Sequence, residues 1–226
     1  MRFTPFYIAA ATLIAAPAAA QDLYGHVFGG GSFIQDPTFE GVVTPPGGQQ
    51  SVGTDFDTGF GVGVAIGKSL PSLNFGNFRV RGEIELSYNS GDVDSVFFSG
   101  NGAAAEANVS GDISTTRAFG NIIADLPTGG AFTPYAGFGL GVASTDTNIN
   151  YGTGVRLDDR SENISAQLIL GGSYALSDSL SLTGDVRYVR DFGVDTPRFN
   201  SAGGLTGVVS DDISSVNLNV GLRFGF

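Results

Sequence analysis

Residues 216–226, Val-Asn-Leu-Asn-Val-Gly-Leu-Arg-Phe-Gly-Phe, alternate without a slip. Val216, Leu218, Val220, Leu222, Phe224 and Phe226 share one face, and Asn217, Asn219, Gly221, Arg223 and Gly225 share the other. A period of two marks a strand, because successive side chains of an extended backbone point to opposite sides. About ten such residues, tilted, cross the hydrocarbon of a bilayer. A strand of that length with one wholly apolar face needs either a core or lipid to cover it.

The same alternation, punctuated by turn residues, predicts seven further strands. In chain order the eight are Leu23 to Phe33, Thr58 to Lys68, Phe78 to Tyr88, Ile113 to Leu126, Thr133 to Ala143, Asn163 to Leu176, Leu180 to Arg190 and Ile213 to Phe226. No stretch carries sustained helical spacing with caps. Three connections are short (Ser69 to Asn77, Pro127 to Phe132, Ser177 to Ser179) and four are long (Ile34 to Asp57, Asn89 to Asp112, Ser144 to Glu162, Asp191 to Asp212), in strict alternation. An up-and-down membrane barrel has short turns at one end and long loops at the other. The expected fold is therefore all-β: an eight-stranded antiparallel up-and-down transmembrane β-barrel, closed so that no edge is left to pair with a neighbour.

Parity alone does not say which face lies outside; the charges do. Arg79, Arg81, Glu83 and Glu85 share a face of the third strand, opposite Val80, Ile84, Leu86 and Tyr88. Arg117, Asn121 and Asp125 share a face of the fourth, with Phe119 and Ile123 as apolar exceptions, and Asp185 and Arg187 lie together on the seventh. With Arg223 this makes five arginines against four acids, close to neutral, and the chain has a single lysine, Lys68. A solvated face would carry lysine; balanced Arg and carboxylate fit an enclosed ion-pair network. Each such Arg shown to lipid near the midplane would cost about 2–4 kcal/mol. Glycines make room for it: Gly59, Gly61 and Gly63 on the second strand and Gly137, Gly139 and Gly141 on the fifth sit on the faces opposite Phe60, Val62, Val64 and Phe138, Leu140, Val142. The expectation is polar inside and apolar outside, with a narrow lumen plugged by side chains.

Residues 1–20 open on Met-Arg, run apolar from Phe6 through Ala16 and reach Pro-Ala-Ala-Ala, which predicts a signal peptide cleaved after Ala20 and a barrel domain over 21–226. The absence of Cys removes disulfides and thiolate metal ligation. A net charge of -11, or -12 once Arg2 is lost with the leader, argues against nucleic acid, which needs a basic stripe. Most of that charge is in the long connections, which hold 16 of the 22 acids and three arginines, Arg156, Arg160 and Arg198.

Few motifs suggest chemistry. The Gly-x-Gly runs continue their strands instead of opening a helix, so they are not nucleotide loops. His26 is the chain's one histidine, followed by Val27 and Phe28, and is expected in an aromatic belt or a polar wall. Asp158-Asp159, Asp211-Asp212 and Asp92-x-Asp94 could ligate Ca²⁺ through carboxylate oxygens but lack the spacing of a calcium loop, so no metal or other cofactor is expected, with a divalent-cation bridge from these acids to an anionic surface as the alternative. Phe39, Phe97, Phe98 and Phe199 stand out in otherwise polar connections, as candidate binding residues or as packing over the barrel mouth.

The whole pattern resembles the small eight-stranded outer-membrane barrels of the opacity-protein and OmpA-type transmembrane-domain families, which include porin-like surface antigens. The resemblance implies that the terminal strand, with Val220, Leu222, Phe224 and Phe226, is read by the barrel-assembly machinery. It also implies partners in outer-membrane lipid and lipopolysaccharide, with an extracellular ligand for the loops. Some barrels of this size act on lipid A, one family through a His-x-Ser pair that His26 does not form, so no enzyme is expected. The expected role is structural or adhesive, with four long acidic loops displayed on a filled barrel. The alternative is a narrow ion or small-solute channel. The network expected to decide between them comprises Arg79, Arg81, Glu83, Glu85, Arg117, Asp125, Asp185, Arg187 and Arg223.

Overall fold

The computed structural model describes residues 23–35, 38–43, 48–100, 109–151, 156–199 and 202–226. The leader predicted over residues 1–20 lies outside them. Among the described residues there are ten strands: β1 (Leu23–Ile34), β2 (Thr38–Val43), β3 (Gly48–Phe56), β4 (Gly59–Ser69), β5 (Arg79–Gly100), β6 (Val109–Asp125), β7 (Phe132–Tyr151), β8 (Arg156–Ala175), β9 (Leu180–Phe199) and β10 (Leu205–Gly225). One 3-10 turn, Pro71–Leu73, stands between β4 and β5, and no described helix is long and apolar enough to cross a membrane.

Eight of these strands, β1, β4 and β5 to β10, form a closed antiparallel barrel. Each pairs with its sequence neighbour in the ring, and β1 closes the circle against β10 with Tyr24 opposite Gly225 and Phe33 opposite Val216. All eight predicted strands are found. The predicted loops are the correction: most of their length is strand. β5 has 22 residues and β7, β8 and β9 have 20 each, about twice the 9–11 that span a bilayer. Alternation weakens there because the outward face meets water instead of lipid and no longer has to be apolar, so the strands continue where the sequence pattern fades.

Above β1 and β4 the wall is carried on by the hairpin of β2 and β3, which falls in the first predicted loop. β3 pairs along β5 from Gln50 opposite Gly100 to Phe56 opposite Val93, while β2 meets β10 at Ser210 opposite Glu40. The extension is not evenly sealed. Between Leu157 and Ile164 the β8–β9 ladder is interrupted, close to Gly193, whose φ of +63° suits glycine, and to a register shift at Asp211/Ile213 in β10.

The outer surface bears out the assigned parity. Val62, Val64 and Ile66 on β4, Ile84 and Leu86 on β5, Leu140 and Val142 on β7, Leu168 and Leu170 on β8, and Leu218 and Val220 on β10 all face out and are exposed. In this band the outward residues are aliphatic, aromatic, Ala or Gly. Above it comes a polar collar that includes Asp92, Asp112, Asp146, Glu162, Arg160 and Arg190. Such a band costs free energy in water and matches hydrocarbon.

Glycine permits close approach at the closing seam. A methyl on Gly30 would collide with the Leu218 carbonyl across the β1–β10 ladder, where backbone rather than a flexible side chain would have to yield. Gly30→Ala should therefore destabilise the barrel by about 1–3 kcal/mol, the usual range for overpacking. The check is a urea titration followed by the heat-dependent gel mobility of folded barrels, and an unchanged midpoint would show that the seam has slack.

Candidate functional site

The lumen is filled by three tiers of charged and polar side chains stacked along its axis. At the short-turn end, Arg81 on β5 is buried between Glu83 and Asp125, with its Nε 2.9 Å from an Asp125 carboxylate oxygen. Its Nη1 also donates to the Tyr24 hydroxyl at 2.8 Å, which in turn donates to Glu83 at 2.7 Å.

The middle tier is the most completely paired. Arg187 on β9 bonds Glu85 at 2.7 Å and Asp185 at 2.8 Å, and its guanidinium lies 4.0 Å from the centre of the Phe28 ring. Glu85 also accepts from Asn121 at 2.8 Å and Gln167 at 3.4 Å, and Asp185 accepts from Tyr135 and Asn219, each at 3.0 Å. Each carboxylate has three donors, which is what a buried charge needs in a low-dielectric interior.

In the outer tier Arg117 on β6 forks onto Asp191 of β9, with contacts of 2.6 Å and 3.0 Å, and a third nitrogen donates to Asn89 at 2.8 Å. Asp191 is completely buried and also accepts from Ser165 at 2.6 Å. Further out, four buried apolar residues, Val93, Ile113, Val194 and Ile213, occupy inward positions on β5, β6, β9 and β10. Between the middle and outer tiers is a cavity of about 10 Å³ open to the centre of a water molecule, room for about one water.

The glycines work as expected. A methyl on Gly63 would run into the Phe28 ring, one on Gly67 into Tyr24, and one on Gly139 into Asn121 and Gln167. Small residues on β4 and β7 thus give width to long side chains of the facing strands.

Of the nine predicted network residues, Arg81, Glu83, Glu85, Arg117, Asp125, Asp185 and Arg187 are placed inside and ion-paired. Arg79 is not part of it: the side chain is exposed at the short-turn mouth, one step beyond the last buried layer, and forms no ion pair among the described residues. Arg223 faces inward but has no carboxylate partner among those residues; its Nη2 donates to Ser173 at 3.1 Å. His26 belongs to the inner wall, with Nε2 3.0 Å from the Thr183 hydroxyl.

Sequence reasoning missed Asp191, assigned to a solvated loop. Its parity is that of Asp185, Arg187 and Val189, so one further step of alternation past Arg190 would have found it. Tyr24, Asn121, Tyr135 and Gln167 were missed as partners because an uncharged polar residue at an inward position gives no sign of what it will bind.

The rim differs from the expected loops. Phe39, Phe97, Phe98 and Phe199 are strand positions, with Val52 opposite both Phe39 and Phe98, and Phe199 opposite Arg156 and Leu205; their side chains lie outside the described residues. The extended ladder absorbs them because aromatics are strong strand formers. Asp92 and Asp94 are exposed on the outer surface, and the side chains of Asp158, Asp159 and Asp211 lie outside the described residues. Asp212 holds Arg190 at 2.8 Å and accepts from the Gly193 amide at 2.7 Å, and the amide together with the guanidinium keeps its carboxyl below the usual range. Among the described residues no three His, Cys, Asp or Glu are grouped to hold a metal ion. At the terminal strand, Phe224 covers Gly25 and meets Phe226 edge-on at 5.6 Å, while Leu222 and Val220 face out.

This architecture is shared with solved outer-membrane proteins. The chain superposes on the outer membrane protease OmpT from Escherichia coli with a TM-score of 0.56 at 10% identity, covering 94% of this chain and 99% of that one. For the outer membrane protein OprG from Pseudomonas aeruginosa the TM-score is 0.54 at 15% identity, over 92% and 98% of the two chains. For Neisserial surface protein A it is 0.51 at 16% identity, over 92% and 100%. At these identities the likeness is one of fold. No curated protein sequence matches the chain. The profile of the family described as outer membrane protein beta-barrel domain matches residues 6–224, nearly the whole length. With alternating strands, a closed ladder, an apolar belt and a filled lumen, the chain belongs to the outer membrane protein beta-barrel family, a family of the bacterial outer membrane.

Proposed function

We propose that the protein is a structural and adhesive surface component: a plugged barrel that holds an acidic, strand-built extension outside the cell for an extracellular partner. The observation that supports this reading is the lumen. A permeating solute would have to part three buried ion-paired tiers and then an apolar layer. Breaking one buried pair by removal of a partner typically costs about 3–5 kcal/mol, so spontaneous opening is rare.

The long-hairpin end is the outer one, since barrels of this kind place their short turns in the periplasm. Asp92, Asp94 and Asp112 face out there, which suits a basic partner surface. The collar carrying Arg160, Arg190 and these acids stands at the level of the lipopolysaccharide headgroups, and Val220, Leu222, Phe224 and Phe226 are the face offered to the assembly machinery.

The folded protein in a planar bilayer should be electrically silent. Displayed on a non-adherent bacterium, it should increase attachment to matrix-coated surfaces, and Asp92→Asn/Asp94→Asn/Asp112→Asn should reduce that gain. Discrete conductance steps from the folded wild type would overturn the plugged-barrel reading in favour of a channel. Unchanged attachment on display would overturn the adhesive one.

A further inference from the structure

The short-turn mouth is a vestibule, with about 440 Å³ of space lined in part by Tyr24, Arg79, Arg81, Asp125, Ser181 and Arg223. Its charges are unevenly matched. Arg81, Arg117 and Arg187 each hold at least one carboxylate, whereas among the described residues Arg223 meets the Ser173 hydroxyl and the face of the Tyr24 ring, 5.5 Å from its guanidinium, and no carboxylate within ion-pair distance. Arg79 opens onto the same space and is likewise unpaired among the described residues. Of the acids at this end, Glu83 and Asp125 are both bound to Arg81, and Asp178 in the β8–β9 turn borders the same space without an ion pair to either guanidinium among the described residues. Ser179 and Ser181 add hydroxyl donors.

A guanidinium is a planar fork of N–H donors suited to a tetrahedral oxyanion, and one that is partly enclosed without a counter-ion is poised for one. The space exceeds that of a bare oxyanion and falls in the range of small-molecule sites, about 300–1,000 Å³. We propose that this vestibule binds a phosphate ester, with Arg223 and Arg79 as its clamps and Ser179 and Ser181 on its flank. The ester is either a soluble phosphate metabolite or the headgroup of a phospholipid in the adjoining leaflet; both present the same chemistry to the site.

The test is calorimetric titration of the folded protein, in a phosphate-free maltoside detergent, with glycerol 3-phosphate. Saturable binding is expected, weakened about tenfold or more in Arg223→Gln and in Arg79→Gln, since each removes a charge-assisted contact. Ser181→Asp, which removes none of the ion-paired residues and adds a carboxylate opposite Arg223, should abolish it. Folding of each variant is checked by heat-dependent gel mobility. Repetition in phosphatidylglycerol nanodiscs separates the sources: a soluble ligand still binds there, whereas a headgroup already in place blocks it. No saturable binding to the wild type in detergent, or equal binding by wild type and all three variants, would overturn the site.

Discussion

Arg187→Met should lower the unfolding free energy by about 3–5 kcal/mol, the cost of leaving buried charge without its partner. Two carboxylates lose their cation at once, Glu85 and Asp185, and Phe28 loses the guanidinium 4.0 Å from its ring. Against a typical total of about 5–15 kcal/mol this is a large fraction. The measurement is urea unfolding in lipid vesicles, read by circular dichroism and gel mobility. The informative comparison is the triple variant Arg187→Met/Glu85→Gln/Asp185→Asn. With no charge left to strand, it should recover most of the loss, because a buried pair is worth little against a neutral replacement while a broken one is costly. Equal instability of single and triple variants would mean that the tier acts through shape and not charge.

Leu140→Arg should cost about 2–4 kcal/mol, and Tyr174→Arg only about 0–1, because the penalty for a cation on the lipid face falls away from the midplane. Leu140 is outward in the middle of the belt on β7, while Tyr174 is outward near the short-turn end of β8. The contrast, measured by the same urea titration in vesicles, tests the parity of the whole sheet. A register slip by one residue would exchange the inner and outer sets, and the ordering of the two variants would then be lost. Equal penalties at both positions would remove the depth assignment of the belt.

How far the sequence was readable depended on what each residue's surroundings demanded of it. Within the belt lipid and lumen impose opposite requirements on neighbouring positions, so Val216 to Phe226 and Phe78 to Tyr88 spell out their parity. Above the belt that pressure ends, and segments such as Asn89 to Gly100 and Ser144 to Tyr151 read as loops although the ladder continues through them. Charged lumen residues were legible because lipid excludes them; their partners were not, since pairing depends on shear between distant strands. Arg117 with Asp191, 74 positions apart, shows this: both lie on inward parity, and only closure of the ring brings them to 2.6 Å. Arg79 erred the other way, since alternation does not say where the buried layers stop.

The exchange of β1 and β4 for β2 and β3 along the axis divides the molecule into two regions closed by different strands. Six strands run through both, but the seam that closes the membrane half ends near Ile34, and the hairpin above pairs with the same β10 and β5 at other residues, Ser210 and Val93 to Gly100. Insertions or substitutions between β2 and β3 therefore do not shift the pairing of β1 with β10. The hairpin can thus change in length or composition without altering the register that closes the membrane half.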